Sequence, residues 1–145
     1  MAQVTLPAET DDRIVGLLQQ DADLTYKELA KKLRLKESTV RKRVLSLKKR
    51  GVIRRILAQV DPKLLGYRVQ AGLGINVDPS MMVDLGKKIV QMSETRMVLS
   101  TTGEYDFFTV VWARDRDSLS TIMSSVSNME GVTKVVPSLL VERLK

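Results

Sequence analysis

The chain has 145 residues, a formal net charge of +7 and 43% apolar residues, with no cysteine and no histidine. The two absences exclude disulfides, zinc sites of the Cys/His kind, cysteine nucleophiles and any mechanism with imidazole as its base. The length suits one average domain or two small ones, with enough apolar residues for a core in each.

Pattern excludes more. No apolar run reaches membrane-spanning length, and Met1 to Thr10 lacks the basic-then-apolar order of a signal peptide, so a soluble cytoplasmic protein is expected. Gly72 and Gly74 lie inside an apolar, strand-like stretch and open no helix, so no phosphate loop is present and no cofactor or metal is expected. Charge is segregated: 14 Lys+Arg face 7 Asp+Glu up to Val60, whereas Asp61 to Lys145 carries 10 of each. Between Thr25 and Arg55, Glu28 and Glu37 are the only acids among 13 basic residues. A basic head for a polyanion, joined to a neutral body with another task, fits this division.

The first helix runs from Asp11 to Gln20, with Ile14, Leu17 and Leu18 on one face and acids at its start. A second begins at Thr25, which can cap it while Glu28 reaches back; Tyr26, Leu29, Ala30 and Leu33 form its inner stripe. After a break at Arg34 to Lys36, a third helix from Glu37 to Arg50 buries Val40, Val44 and Leu47, and Gly51 stops it. Ser38, Thr39, Arg41, Lys42, Leu45 and Lys48 are left on its other faces. Two short helices around a tight turn, the second basic and fronted by hydroxyl residues, make a helix-turn-helix layout. The third helix is then the reader of the major groove of double-stranded DNA. The candidate DNA contacts are Lys36, Glu37, Ser38, Thr39, Arg41, Lys42, Arg43 and Lys48.

Ile53 to Val60 reads as a strand, and Asp61-Pro62 with Gly66 supplies turn chemistry. This divides the chain into a head (1–52), a strand and hinge (53–66) and a body (67–145). In the body, the strand Arg68 to Val77 leads to Asp78-Pro79 and a helix bearing Met82, Leu85, Gly86, Ile89 and Met92. Thr95 to Thr102 and Phe107 to Ala113 form a hairpin around Gly103 to Asp106. Asp117 to Met129 is a second amphipathic helix, and Val132 to Leu144 closes with a strand interrupted at Pro137. The fold class is α+β, with a βαββαβ, ferredoxin-like body: a four-stranded antiparallel sheet with both helices on one face. Val110-Val111-Trp112 is apolar on both sides, so a second copy is expected to cover the open face as a homodimer. The helix methionines read as core filling.

These residues resemble the Lrp/AsnC (feast/famine) family along the whole chain. The head carries Asp11-Asp12-Arg13-Ile14, Glu28-Leu29-Ala30, Val40, Arg43-Val44, and Leu47 leading to Gly51-Val52-Ile53. The body carries Val60-Asp61-Pro62 through Gly66, then Thr102-Gly103-Glu104-Tyr105-Asp106, Gly131-Val132 and Lys145. Lys36 departs from the pattern, standing where many members have a serine that caps the reading helix. The resemblance implies a non-enzymatic transcription regulator binding a small effector, commonly an amino acid, where dimers meet as tetramers or octamers. By the same resemblance Thr101, Thr102, Gly103, Glu104, Tyr105 and Asp106 form the effector loop. Val136, Pro137, Ser138 and Leu139 supply the other side of the pocket. Two other readings are an effector sensor that controls a partner protein and a tetrapyrrole-pathway decarboxylase of similar layout. The basic helix opposes the first, and the lack of histidine opposes the second.

Overall fold

The computed structural model describes residues 8–142, divided into two compact units between Gln59 and Val60. Lys145 and the expected strand end at Leu144 lie outside the described residues. Among the described residues, no helix is long and apolar enough to cross a membrane.

The first unit holds three helices: α1 (Glu9–Gln20), α2 (Tyr26–Leu33) and α3 (Glu37–Lys49). α1 starts two residues earlier than its apolar stripe suggests, because the N–H groups of Asp11 and Asp12 bond the Ala8 carbonyl. Thr25 caps α2 as expected. Its hydroxyl accepts the Glu28 N–H at 3.2 Å, and its own N–H donates to the Glu28 carboxylate at 2.7 Å. The Thr25 hydroxyl, and then the Thr25 backbone N–H, hold the Glu28 carboxyl below its ordinary value. α2 ends at Arg34, which takes a left-handed conformation at φ 56° and donates to the carbonyls of Ala30 and Lys31. Lys36 starts α3 without a side-chain cap, leaving the first N–H groups of that helix open. Ile14, Leu29, Ala30, Leu33, Val40, Val44 and Leu47 close the core where the three helices meet.

Ile53 to Val60 is not a strand in this chain. Ile53 packs on the head core, and its N–H bonds the Leu47 carbonyl. The residues that follow have apolar, β-branched composition but, among the described residues, no neighbouring strand to supply a ladder, and Ile56, Leu57 and Val60 stay exposed.

The second unit places β1 (Val69–Val77), α4 (Met82–Gln91), β2 (Thr95–Ser100), β3 (Phe107–Ala113), α5 (Arg116–Ser127) and β4 (Val132–Leu139) in the expected βαββαβ order. The sheet order is β2-β3-β1-β4, antiparallel throughout. Asp78 accepts the Ser80 N–H and opens a short 3-10 turn, Pro79–Met81, before α4; Asp115 likewise caps α5 through Ser118. One face of the sheet buries Ala71, Leu73, Ile75, Val77, Phe107 and Val111 against Leu85 and Ile89 of α4 and Leu119, Ile122 and Val126 of α5. Each large aliphatic side chain removed from water there contributes about 1.5–3 kcal/mol.

β2 ends at Ser100, two residues earlier than expected, and among the described residues β4 ends at Leu139. Pro137 does not interrupt β4. The strand lies at the sheet edge, and the Leu140 N–H donates to Gln70. Bonded pairs alternate along an antiparallel ladder, so Pro137, opposite Leu73, occupies a non-bonded position where no N–H is needed.

Candidate functional site

In the first unit, burial of Val40, Val44 and Leu47 turns the opposite face of α3 outward. Ser38, Arg41, Lys42 and Lys48 are exposed there, as are Lys36 and Glu37 at its start; Thr39 is half-buried on the flank. Among the described residues, no carboxylate lies within 4.0 Å of Lys36, Arg41, Lys42 or Lys48. Such a surface retains its full charge for a polyanion. Leu45 sits among them, 53% exposed, an apolar side chain of the kind that can meet a thymine methyl group. Its signal in the sequence was an apolar residue on the wet side of the helix.

Arg43 is turned inward. Its Nη1 lies 2.8 Å from Asp11 Oδ1, while Arg50 Nη2 lies 2.9 Å from Asp11 Oδ2, so one buried carboxylate ties the middle and the C-terminal cap of α3 to α1. The guanidiniums are partly exposed and can rehydrate once released. Asp11→Ala should therefore cost about 1–2 kcal/mol, seen as a lower urea midpoint, and not the larger penalty of an orphaned buried charge. An unchanged midpoint would mean the bridge contributes nothing.

In the second unit, Thr101 to Asp106 joins β2 to β3 and is pinned to the end of β1. The Asp106 N–H bonds the Ile75 carbonyl at 3.1 Å, and the Thr101 N–H bonds the Asp106 carbonyl at 2.9 Å. The Thr101 hydroxyl donates to the Tyr105 carbonyl, and Asn76 Nδ2 donates to the Glu104 carbonyl at 2.8 Å. Asp106 Oδ2 accepts the Val77 N–H at 2.9 Å, so the carboxylate performs ordinary turn chemistry. Its other oxygen has no bond, and no cation lies within 4.0 Å of the group, among the described residues.

The Tyr105 ring lies on Gly74, where a Cβ would come within 2.6 Å of it. Burial, and then the Glu104 carboxylate, raise the Tyr105 phenol above its ordinary value. Thr102, Gly103 and Glu104 are exposed. Gly103 has neither a left-handed φ nor any atom near its absent Cβ, so packing and conformation within this chain place no demand for glycine there. Val136 pairs with Gly74 and Ser138 with Gly72, which puts both on the open sheet face with Tyr105. Pro137 and Leu139 alternate to the helix side. The expected pocket wall is thus split between two faces. Among the described residues, no group of three or more acidic side chains could hold a metal ion.

The winged helix-turn-helix DNA-binding family matches residues 8–54, and the Lrp/AsnC ligand binding domain family matches residues 70–145. The transcriptional regulator LrpA of Pyrococcus horikoshii is 34% identical over 138 residues, 94% of this chain and 98% of that protein. The chain belongs to the Lrp/AsnC family. Among solved members, AsnC of E. coli superposes with a TM-score of 0.80 at 25% identity, covering 97% of this chain and 96% of that one. A regulator from Neisseria meningitidis, solved as a complex with L-Met, shares the fold with a TM-score of 0.85 at 22% identity, covering 97% and 93%. This Lrp/AsnC member is accordingly a DNA-binding transcriptional regulator with a domain for a small ligand, and not an enzyme, since its relatives are named as regulators. The decarboxylase reading ends here.

Proposed function

We propose that this regulator acts in the cytoplasm as a homodimer that reads an imperfect palindrome through two copies of α3. In this reading dimers assemble further, to tetramers or octamers, and a free amino acid binds at the loop Thr101 to Asp106 where they meet. The observation that carries the ligand reading is the half-buried Asp106 carboxylate, which among the described residues has one oxygen uncommitted and no cation beside it. An α-ammonium group would complete it by a charge-assisted bond, with the ligand carboxylate toward the exposed backbone around Gly103. The body carries equal numbers of acidic and basic residues from Asp61 onward, which suits a zwitterion. The L-Met held by the Neisseria relative supports the same ligand class. Val136 and Ser138 would line the pocket beside Tyr105. Ligand bound across that contact shifts assembly only by its differential affinity for the two states, and through assembly it shifts DNA affinity.

Calorimetry against the standard amino acids tests this. One of them should bind, and Gly103→Val should weaken it at least 10-fold without changing thermal stability, because the added Cβ meets none of the described residues. Asp106→Asn keeps an acceptor for the Val77 N–H while removing the charge, and should weaken binding similarly. Equal binding by wild type and both variants would place the ligand elsewhere. No binding at millimolar concentration would remove the amino acid from the proposal.

A further inference from the structure

Arg41 and Lys42 are adjacent, exposed and cationic, yet the structure treats them differently. The Arg41 guanidinium lies over the Tyr26 ring, 5.3 Å from its centroid, whereas no aromatic ring lies under the Lys42 ammonium among the described residues. Tyr26 is a firm support. It is the first residue of α2, directly behind the Thr25 capping box, and it packs partly buried against the head core. A ring anchored through its backbone and packed on the core can support a guanidinium over its face and leave the N–H donors along its edge open.

We propose that Tyr26 is a positioning residue that presents Arg41, edge first, to a guanine in the major groove. This rests on the reading of α3 as the DNA-contacting helix. A long arginine chain must otherwise surrender its rotamer freedom when it forms the bidentate contact to O6 and N7, and stacking removes part of that freedom before DNA arrives. Lys42, a point charge on a flexible stem, is left to meet phosphate. Two roles are thereby assigned within one turn of helix: the stacked cation discriminates sequence, and the unstacked one supplies affinity.

A double-mutant cycle tests the assignment, using the full chain and the tightest duplex selected from a random-sequence pool. Tyr26→Phe keeps the ring and should leave affinity within about twofold, while Tyr26→Leu should lower it about fivefold. Because no charge is lost, the slope of log K against log salt should not move in either variant. In the Arg41→Ala background, Tyr26→Leu should cost nothing further, since the residue acts through Arg41. Replacing the guanine read by Arg41 should penalise Tyr26→Leu less than the wild type. Tyr26→Met serves the same comparison if the leucine variant does not fold.

An equal loss from Tyr26→Leu with and without Arg41 would overturn the positioning role and leave α3 as the reader. A wild-type affinity in Tyr26→Leu would do the same. An Arg41→Ala variant with unaltered affinity and sequence preference would overturn the proposal together with the α3 reading at that position.

Discussion

Removing both Arg41 and Lys42 should lower DNA affinity at least 100-fold near physiological salt, the largest loss expected of any pair in the head. The two contribute by different routes. A bidentate arginine–guanine contact accounts for about 1–3 kcal/mol, and each phosphate neutralised by lysine adds about 0.9 to the slope of log K against log salt. In a dimer that engages two α3 helices, Lys42→Ala alone should therefore flatten the slope by about 1.8 and weaken all sequences alike. Arg41→Ala should instead erode the difference between the selected site and random DNA. Ser38, exposed at the start of the same face, should change which sequence is preferred, more so than half-buried Thr39. Gel shifts over a salt series measure both quantities. Unchanged affinity and slope in the double variant would remove α3 as the DNA-contacting surface.

The second large effect is expected on the open face of the sheet. Met97 and Leu99 are 42% and 47% exposed there, beside half-buried Phe108, Val110 and Trp112. Gly72 lies under the Phe108 ring as Gly74 lies under Tyr105, so two aromatic rings lie down on β1 and leave a broad, low apolar surface. Such a face suits another sheet laid upon it. Val110→Lys should raise the dissociation constant of the proposed dimer at least 1000-fold, because an unpaired ammonium buried at an apolar contact costs several kcal/mol and two-fold symmetry introduces it twice. Sedimentation should then find a folded monomer, with circular dichroism unchanged because Val110 points away from the core. Binding to paired half-sites one helical turn apart should lose its cooperativity. A variant that keeps the wild-type mass would show that this face is not the contact.

What the sequence determined by itself was the part of the molecule governed by neighbours a few residues apart. The three head helices, the Thr25 capping box, the stop at Gly51, the Asp78 cap and the βαββαβ order all rest on contacts within one or two turns of chain. Residue type alone marks those contacts. The departure at Lys36 was visible for the same reason: an ammonium cannot accept an N–H bond.

The tertiary structure decided whatever needed a distant partner. Ile53 to Val60 has strand composition, but a strand is defined by a ladder, and the described residues supply no second strand there. Pro137 was expected to interrupt β4 because the ladder phase relative to β1 is not written locally; the Leu140 bond to Gln70 sets that phase and puts the missing N–H where it costs nothing. Arg43 belonged by composition to the basic surface, yet Asp11, 32 residues away, draws it inward. Tyr26 looked like one more member of an apolar stripe until its ring met Arg41. Asp106 carries an ordinary backbone bond to Val77, 29 residues earlier, and keeps one oxygen uncommitted; both facts follow from the apposition of two strands. Periodicity and capping record which face of an element is buried. The partner across the core, and with it each side chain's free valence, is set only when the elements pack.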